Sequence, residues 1–296
     1  MPNADRSWFV NRIHGRTVAL ESTILTHGLP RDAAQSLADQ THTALENYGI
    51  KPAIVGIINH AAIVGLTSGE LERMLTAGDV HKVNSSNLGL ALHQGWIGAT
   101  TVSVTVELAA RAGISVFATG GIGGVHHGYH QRLDISSDLA AIARHPVAVV
   151  ASGCKNILDL ASTRELLETL GIPVVGYRCD LFPAFYQRGS EASVDARFDD
   201  PAELADYVRF ELRRTGRGLL VAHPIPQEHE IPVDQWTAWL AEAENRTSDA
   251  TGRDATPALL AAVHAVSGGK TTDANLALAL ANADLAGRIV AQLSAE

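Results

Sequence analysis

Lysine is scarce in this chain: Lys51, Lys82, Lys155 and Lys270 stand against 19 arginines in 296 residues. A guanidinium stays protonated in proteins, so a lysine kept in so arginine-rich a chain marks a position where neutral-amine chemistry is available. Cysteine is scarcer. Cys154 and Cys179 are too few for a disulfide framework and lack zinc-site spacing, which leaves them as small buried fillers. Positive charge is in deficit overall, 23 basic residues against 32 acidic ones for a net charge of −9, so no basic stripe is available to a nucleic acid. A small anion is still admissible where cations gather locally. The opening MPNADRSWFVNR has no basic flank leading into an apolar core, and no 18-residue apolar run stands out. The expectation is a cytoplasmic protein without signal peptide or membrane span.

What is present is a globular composition, 46 % hydrophobic and 19 % charged, on a chain long enough to bury a sizeable core. Apolar runs of strand length recur at 17–23, 52–59, 61–66, 114–120, 147–153, 173–179 and 218–224. Helical patterns lie between many of them. One follows GLPRDAAQ, where Asp32 and Gln35 have the spacing of a capping box, and runs to Gly49. Another follows Lys155 and stops at Gly171 and Pro173, and others cover 202–214, 233–245, 257–266 and 273–293. Alternation of this kind predicts an α/β fold of three layers, α/β/α. IINHAAIVGL reads as a hairpin, so the sheet is predicted to be mixed. The loop-like 244–257 leaves too little chain after it for a second domain. We therefore expect a single domain over 1–296 with its core at about 17–293.

Several stretches could carry chemistry. Glu21 interrupts the strand-like VALESTIL at its end, the place where ligands bind in open α/β sheets; a carboxylate there is either paired or held with a raised pKa. ATGGIGGVHHG, 118–128, is either a tight strand-end turn or an anion cradle, and His126, His127 and His130 are either incidental or metal ligands. LDISSDL gathers Asp134, Ser136 and Asp138, oxygens that suit a hard cation or a sugar, against the alternative of helix capping by Ser136 or Ser137. Lys155 is predicted in the first turn of a helix, where the macrodipole favours the neutral, nucleophilic amine, with Asp159 four residues on to balance its charged form. The alternative is a surface lysine at a strand exit.

Taken in order, ALESTILTHGLP, HKV, GATTV, VFATGGIGGVH, DISSDL, GCKNILDL, PVVGY, PAFY, PIP and TPALLA resemble the pseudouridine-5'-phosphate glycosidase, or indigoidine synthase A-like, family over roughly 17–293. The resemblance implies an α/β/α homotrimer that makes or breaks the carbon-carbon bond between ribose 5-phosphate and uracil, with a divalent metal, manganese or magnesium. Carried over by motif, Glu21 matches the proton donor and Lys155 the Schiff-base lysine. Lys82 matches a substrate lysine and Asp134 the metal aspartate, with Ser136, Ser137 and Asp138 in the adjoining substrate loop. Val102, Thr119, His126 and Asn275 match residues lining the pocket.

The departures are local. KVNSSNL stands where the family usually reads KVSRRDL, HHGYH where it reads HRGAE, and AHPIP where it reads ANPIP. They remove charge at the entrance, and incline the reading to the branch that attaches ribose 5-phosphate to an aromatic ring in natural-product biosynthesis, an alnumycin-type C-glycosynthase. The alternative is catabolic release of uracil, and a remote third is a phosphosugar-binding regulator without catalysis.

Overall fold

The computed structural model describes residues 7–247 and 255–293. Among them, eleven strands form one sheet: β1 (Phe9–Asn11), β2 (Thr17–Leu20), β3 (Lys51–Ile58), β4 (Ala61–Val64), β5 (His81–Val83), β6 (Gly98–Thr100), β7 (Val116–Ala118), β8 (Ala148–Ala151), β9 (Val174–Tyr177), β10 (Ala196–Phe198) and β11 (Leu219–Ala222). The helices are α1 (Thr23–His27), α2 (Arg31–Glu46), α3 (Ser68–Thr76), α4 (Leu88–Gln94), α5 (Val102–Ala112), α6 (Ser137–Arg144), α7 (Leu160–Thr169), α8 (Pro201–Thr215), α9 (Val233–Arg246), α10 (Ala255–Val266) and α11 (Lys270–Leu293).

The sheet runs β1-β4-β3-β2-β7-β8-β11-β9-β10, with β6 branching from β3 and carrying β5. It is mixed, as predicted. β3 pairs antiparallel with β4 and β6, and the other pairings are parallel. Asn59 and His60 take positive φ at the β3–β4 turn, the conformation that a two-residue hairpin matched to strand twist requires.

Period-two alternation divides the core. Ala19, Phe117, Val149, Val174 and Leu220 face α5, α6 and α7, whereas their neighbours Val18, Val116, Val150, Val175 and Val221 face α2, α8 and α11. Both faces are apolar because both are covered, which is why these strands read as continuous hydrophobic runs.

Three expectations change. Asp32 and Gln35 form no capping box: α2 begins at Arg31 behind Pro30, and Gln35 instead bonds Asp39 one turn on. A reciprocal box does form at Thr67 and Glu70, opening α3. The helix after Lys155 starts only at Leu160. And α11 is long and apolar enough to cross a membrane by length and composition, with a mean hydropathy of 1.3 over 18 residues. Its Leu278, Ala286 and Ile289 are nevertheless spent on the protein's own core. Of the loop expected at 244–257, residues 248–254 lie outside the described residues, and its flanks continue α9 and α10.

Candidate active site

Glu21, Thr119 and Ser152 immediately follow β2, β7 and β8, three adjacent parallel strands, so one crest of the sheet assembles them. The Thr119 hydroxyl donates to Glu21 Oε1. Burial is the largest influence on the Glu21 carboxyl and pushes its pKa up; the charge of Lys155, the Thr119 bond and the charge of Lys82 pull against it without cancelling it. Beneath it lies a cavity of about 30 Å³, lined by Leu20, Ile24, Leu37, Ile54 and Ala118. Its wall is mostly apolar, with Thr41 and Thr119 as the hydroxyl-bearing residues. This favours the protonated carboxyl, the form that can give a proton away.

Lys155 is partly buried in the loop that joins β8 to α7, not in a helix. Its amide donates to Ile122 O at 3.2 Å and its carbonyl accepts from Leu158 N at 3.0 Å. The macrodipole argument for its nucleophilicity therefore fails, and Asp159 does not balance it, because Asp159 caps α7 through Ser162 N at 2.9 Å. The loop is pinned instead. Gly153 has φ +67° and passes so close to Pro183 O that an added Cβ would lie 1.8 Å away. Asn156 donates to Gln187 at 3.0 Å. Lys82, on β5, is exposed as a residue, and desolvation followed by the charge of Lys155 holds its pKa below the ordinary lysine range. Two lysines thus flank one carboxyl. Cys154 is buried, its thiol pushed up to about 12, and Cys179, also buried, to about 11, so both are inert fillers.

Three amides of the glycine loop after β7 are engaged within the protein. Ile122 N donates to Gly153 O, Gly123 N to Asp138 Oδ2, and Val125 N to Thr163 Oγ1. A Cβ at Gly123 would lie 2.4 Å from Ser136 Oγ and one at Gly121 2.5 Å from the Phe185 ring. Asp138, 5 % exposed, accepts from Gly123 N and, through Oδ1, from Ser103 N at 2.9 Å, tying this loop to the start of α5 beside Val102. Ser136 caps α6 by accepting from Asp138 N, and Ser137 donates to Ser103.

Beyond Val125 the chain runs outward. His126 is half-buried and its amide donates to Asp134 O; His127, Tyr129, His130 and Asp134 are exposed. Among the described residues, no three histidine, cysteine or acidic side chains converge on a point that could hold a metal. An ion held by Asp134 would have to be a hard one that takes a single carboxylate and draws its other oxygens from water and substrate. Asn275, buried on α11, accepts from the Tyr186 hydroxyl at 3.0 Å. Tyr186 and Asn282 were not anticipated from the sequence. Asn282 stands seven residues from Asn275, two turns on the same helical face, and that spacing was a signal for it.

Residues 12–292 match the family described as indigoidine synthase A like protein. A pseudouridine-5'-phosphate glycosidase of Geobacillus kaustophilus is 44 % identical over 281 residues, 94 % of this chain and 93 % of the relative. One from Mesorhizobium japonicum is 41 % identical over 280 residues, covering 93 % and 92 %. Among solved structures, the prealnumycin C-glycosynthase AlnA in complex with ribulose 5-phosphate superposes with a TM-score of 0.86 at 36 % identity, over 95 % of this chain and 92 % of that one. An indigoidine synthase A-like protein of Thermotoga maritima superposes with a TM-score of 0.89 at 36 % identity, covering 96 % of each.

Proposed function

Since this chain belongs to the indigoidine synthase A-like family, we propose that it breaks and forms the carbon-carbon bond between ribose 5-phosphate and a planar ring, with pseudouridine 5'-phosphate as its substrate. The observation that carries the reading is a carboxyl, Glu21, at the end of β2, bonded by the Thr119 hydroxyl and within the electrostatic reach of both Lys155 and Lys82.

A carbon glycoside has no heteroatom leaving group, so the two-carboxylate route of ordinary glycosidases is closed to it. The amine route opens it. Neutral Lys155 attacks C1 of the ribose as Glu21 gives its proton to the departing ring oxygen, which leaves an open-chain sugar joined to the lysine nitrogen. The ammonium nitrogen so formed returns a proton to the Glu21 carboxylate and regains its lone pair. The ring carbon then takes a proton from the Glu21 carboxyl while its bond to C1 breaks. Those electrons return to the ring, and the nitrogen lone pair makes C1 an iminium. Water releases ribose 5-phosphate and restores the amine. Reversed, an electron-rich ring attacks the iminium. Lys82 balances the sugar phosphate, while Asp138 and the glycine loop hold the frame on which these groups are oriented. Asp134 would hold manganese or magnesium, which supplies charge neutralisation to the phosphosugar.

The relatives named for pseudouridine 5'-phosphate are the more similar in sequence, which favours the catabolic direction. One feature favours the synthetic one. The turn beside Lys82 is uncharged, with Asn87 accepting from Asn84 N and donating to Lys82 O, and Ser86 bonding Asn84, so no fixed charge meets the incoming ring there. Incubation with pseudouridine 5'-phosphate, and separately with ribose 5-phosphate plus uracil or phenolic rings, separates the two by mass spectrometry. Uracil release supports the proposal. Coupling of a phenol with no turnover of the nucleotide assigns the synthetic role, and inertness in both assays refutes the reading.

A further inference from the structure

Asn282 is fully buried on α11, yet its side chain meets three segments of the crest. Nδ2 donates to Thr119 O at 2.8 Å and to Ser152 Oγ at 3.2 Å, with Gly120 O at 3.4 Å. Oδ1 faces His223 Nδ1 at 3.1 Å. An amide bonds in this way in one orientation only. Its oxygen must accept from His223 Nδ1–H, because both Nδ2 hydrogens point at acceptors. His223 follows β11 directly, and its amide is fixed on Ala151 O at 2.9 Å. Four neighbouring strands are thereby linked: β2 through Glu21 and the Thr119 hydroxyl, β7 through Thr119 O, β8 through Ser152, and β11 through His223.

Thr119 is joined to Glu21 by its side chain and to Asn282 by its carbonyl, while Ser152 begins the loop that carries Lys155. We propose that Asn282, oriented by His223, is a positioning residue that sets the approach of the Glu21 carboxyl to the Lys155 amine. This rests on the Schiff-base reading of the site. Asn282 touches neither reacting group. Its effect passes through the two crest segments, and displacing a reacting group by about 1 Å lowers a rate by roughly 100-fold.

The test compares wild type with Asn282→Ala, His223→Ala and His223→Asn in kcat, KM, the pH profile of kcat and the rate of borohydride-trapped adduct with ribose 5-phosphate. The expectation for Asn282→Ala is a kcat lower by roughly 10- to 100-fold with KM within about threefold. The Glu21 limb should move to higher pH, because a drifting Thr119 no longer donates to a carboxyl whose charged neighbours are Lys155, Lys82 and Asp138. His223→Asn should retain activity, since its amide can still donate to Asn282, whereas His223→Ala should lose part of it. An Asn282→Ala protein with unchanged kcat and pH limb overturns the inference. If that variant does not fold, equal kcat in wild type, His223→Ala and His223→Asn overturns it instead. Wild type that forms no adduct defeats the Schiff-base reading itself, whereas wild-type trapping with an indifferent Asn282 defeats only this inference.

Discussion

Replacing Glu21 by glutamine should make the protein more stable while abolishing its chemistry. The carboxyl borders a mostly apolar cavity and accepts from the Thr119 hydroxyl, and burial outweighs the attraction of two lysines. Its pKa in the folded protein therefore lies above its unfolded value. Folding takes up a proton as pH rises past the unfolded pKa, so the group's favourable contribution is complete in acid and is lost as pH climbs through the folded value. Each tenfold gain in proton affinity corresponds to about 1.4 kcal/mol. A buried polar group short of partners costs about 1–3 kcal/mol, and the partial exposure of Glu21 and its lysine neighbours place it at the lower end. Glutamine keeps the oxygen that accepts from Thr119 and carries no charge to desolvate. Urea unfolding of wild type and Glu21→Gln at pH 8 should show the variant ahead by about 1–2 kcal/mol, or a few degrees in Tm, with the gap closing below about pH 4.5. A constant gap across that range, or a variant less stable at pH 8, would refute the claim that burial raises the Glu21 pKa.

Other consequences can be measured directly. Gly153→Ala should destabilise the fold by at least ~3 kcal/mol, since its Cβ would collide with backbone at Pro183 and its φ is positive; thermal unfolding checks this. Asp138→Ala should cost about 2–4 kcal/mol in urea unfolding, because two buried amides, Ser103 N and Gly123 N, lose their acceptor. His223 has its pKa depressed to about 4 by burial, so its contribution is present above pH 6.5 and lost as pH falls toward 4; His223→Asn should flatten that stretch of the stability curve. Removal of metal should slow turnover and manganese should restore it, with Asp134→Ala raising KM for the phosphosugar at unchanged Tm.

The sequence carried the sheet well because its strands are buried on both faces and read as apolar runs, and Glu21 was visible as an acid breaking one of them. Short elements left no such trace. In α5, Val102, Val104 and Val106 alternate like a strand, while the helix is closed locally by Gly113 at positive φ and engaged in its first turn by Asp138, a feature of tertiary origin. The environment of Lys155 was misplaced by five residues, because the loop after β8 is held by Gly153, Asn156 and contacts from residues 183–187 that no local pattern encodes. Asp138 was read as a sugar or metal oxygen, and its carboxylate also accepts from two amides, a role that depends on where α5 packs. Asn282 looked like one more polar residue in an alanine-rich helix until the crest it meets was placed beside it.

The claim on which the rest depends is that Lys155 forms the covalent bond to the sugar. Protein incubated with ribose 5-phosphate and sodium borohydride, digested and sequenced by mass spectrometry, should carry one reduced pentose phosphate on the peptide containing Lys155, and Lys155→Arg should carry none there, since a guanidinium supplies no neutral amine. Adduct confined to Lys82, with Lys155→Arg fully active, would contradict the account.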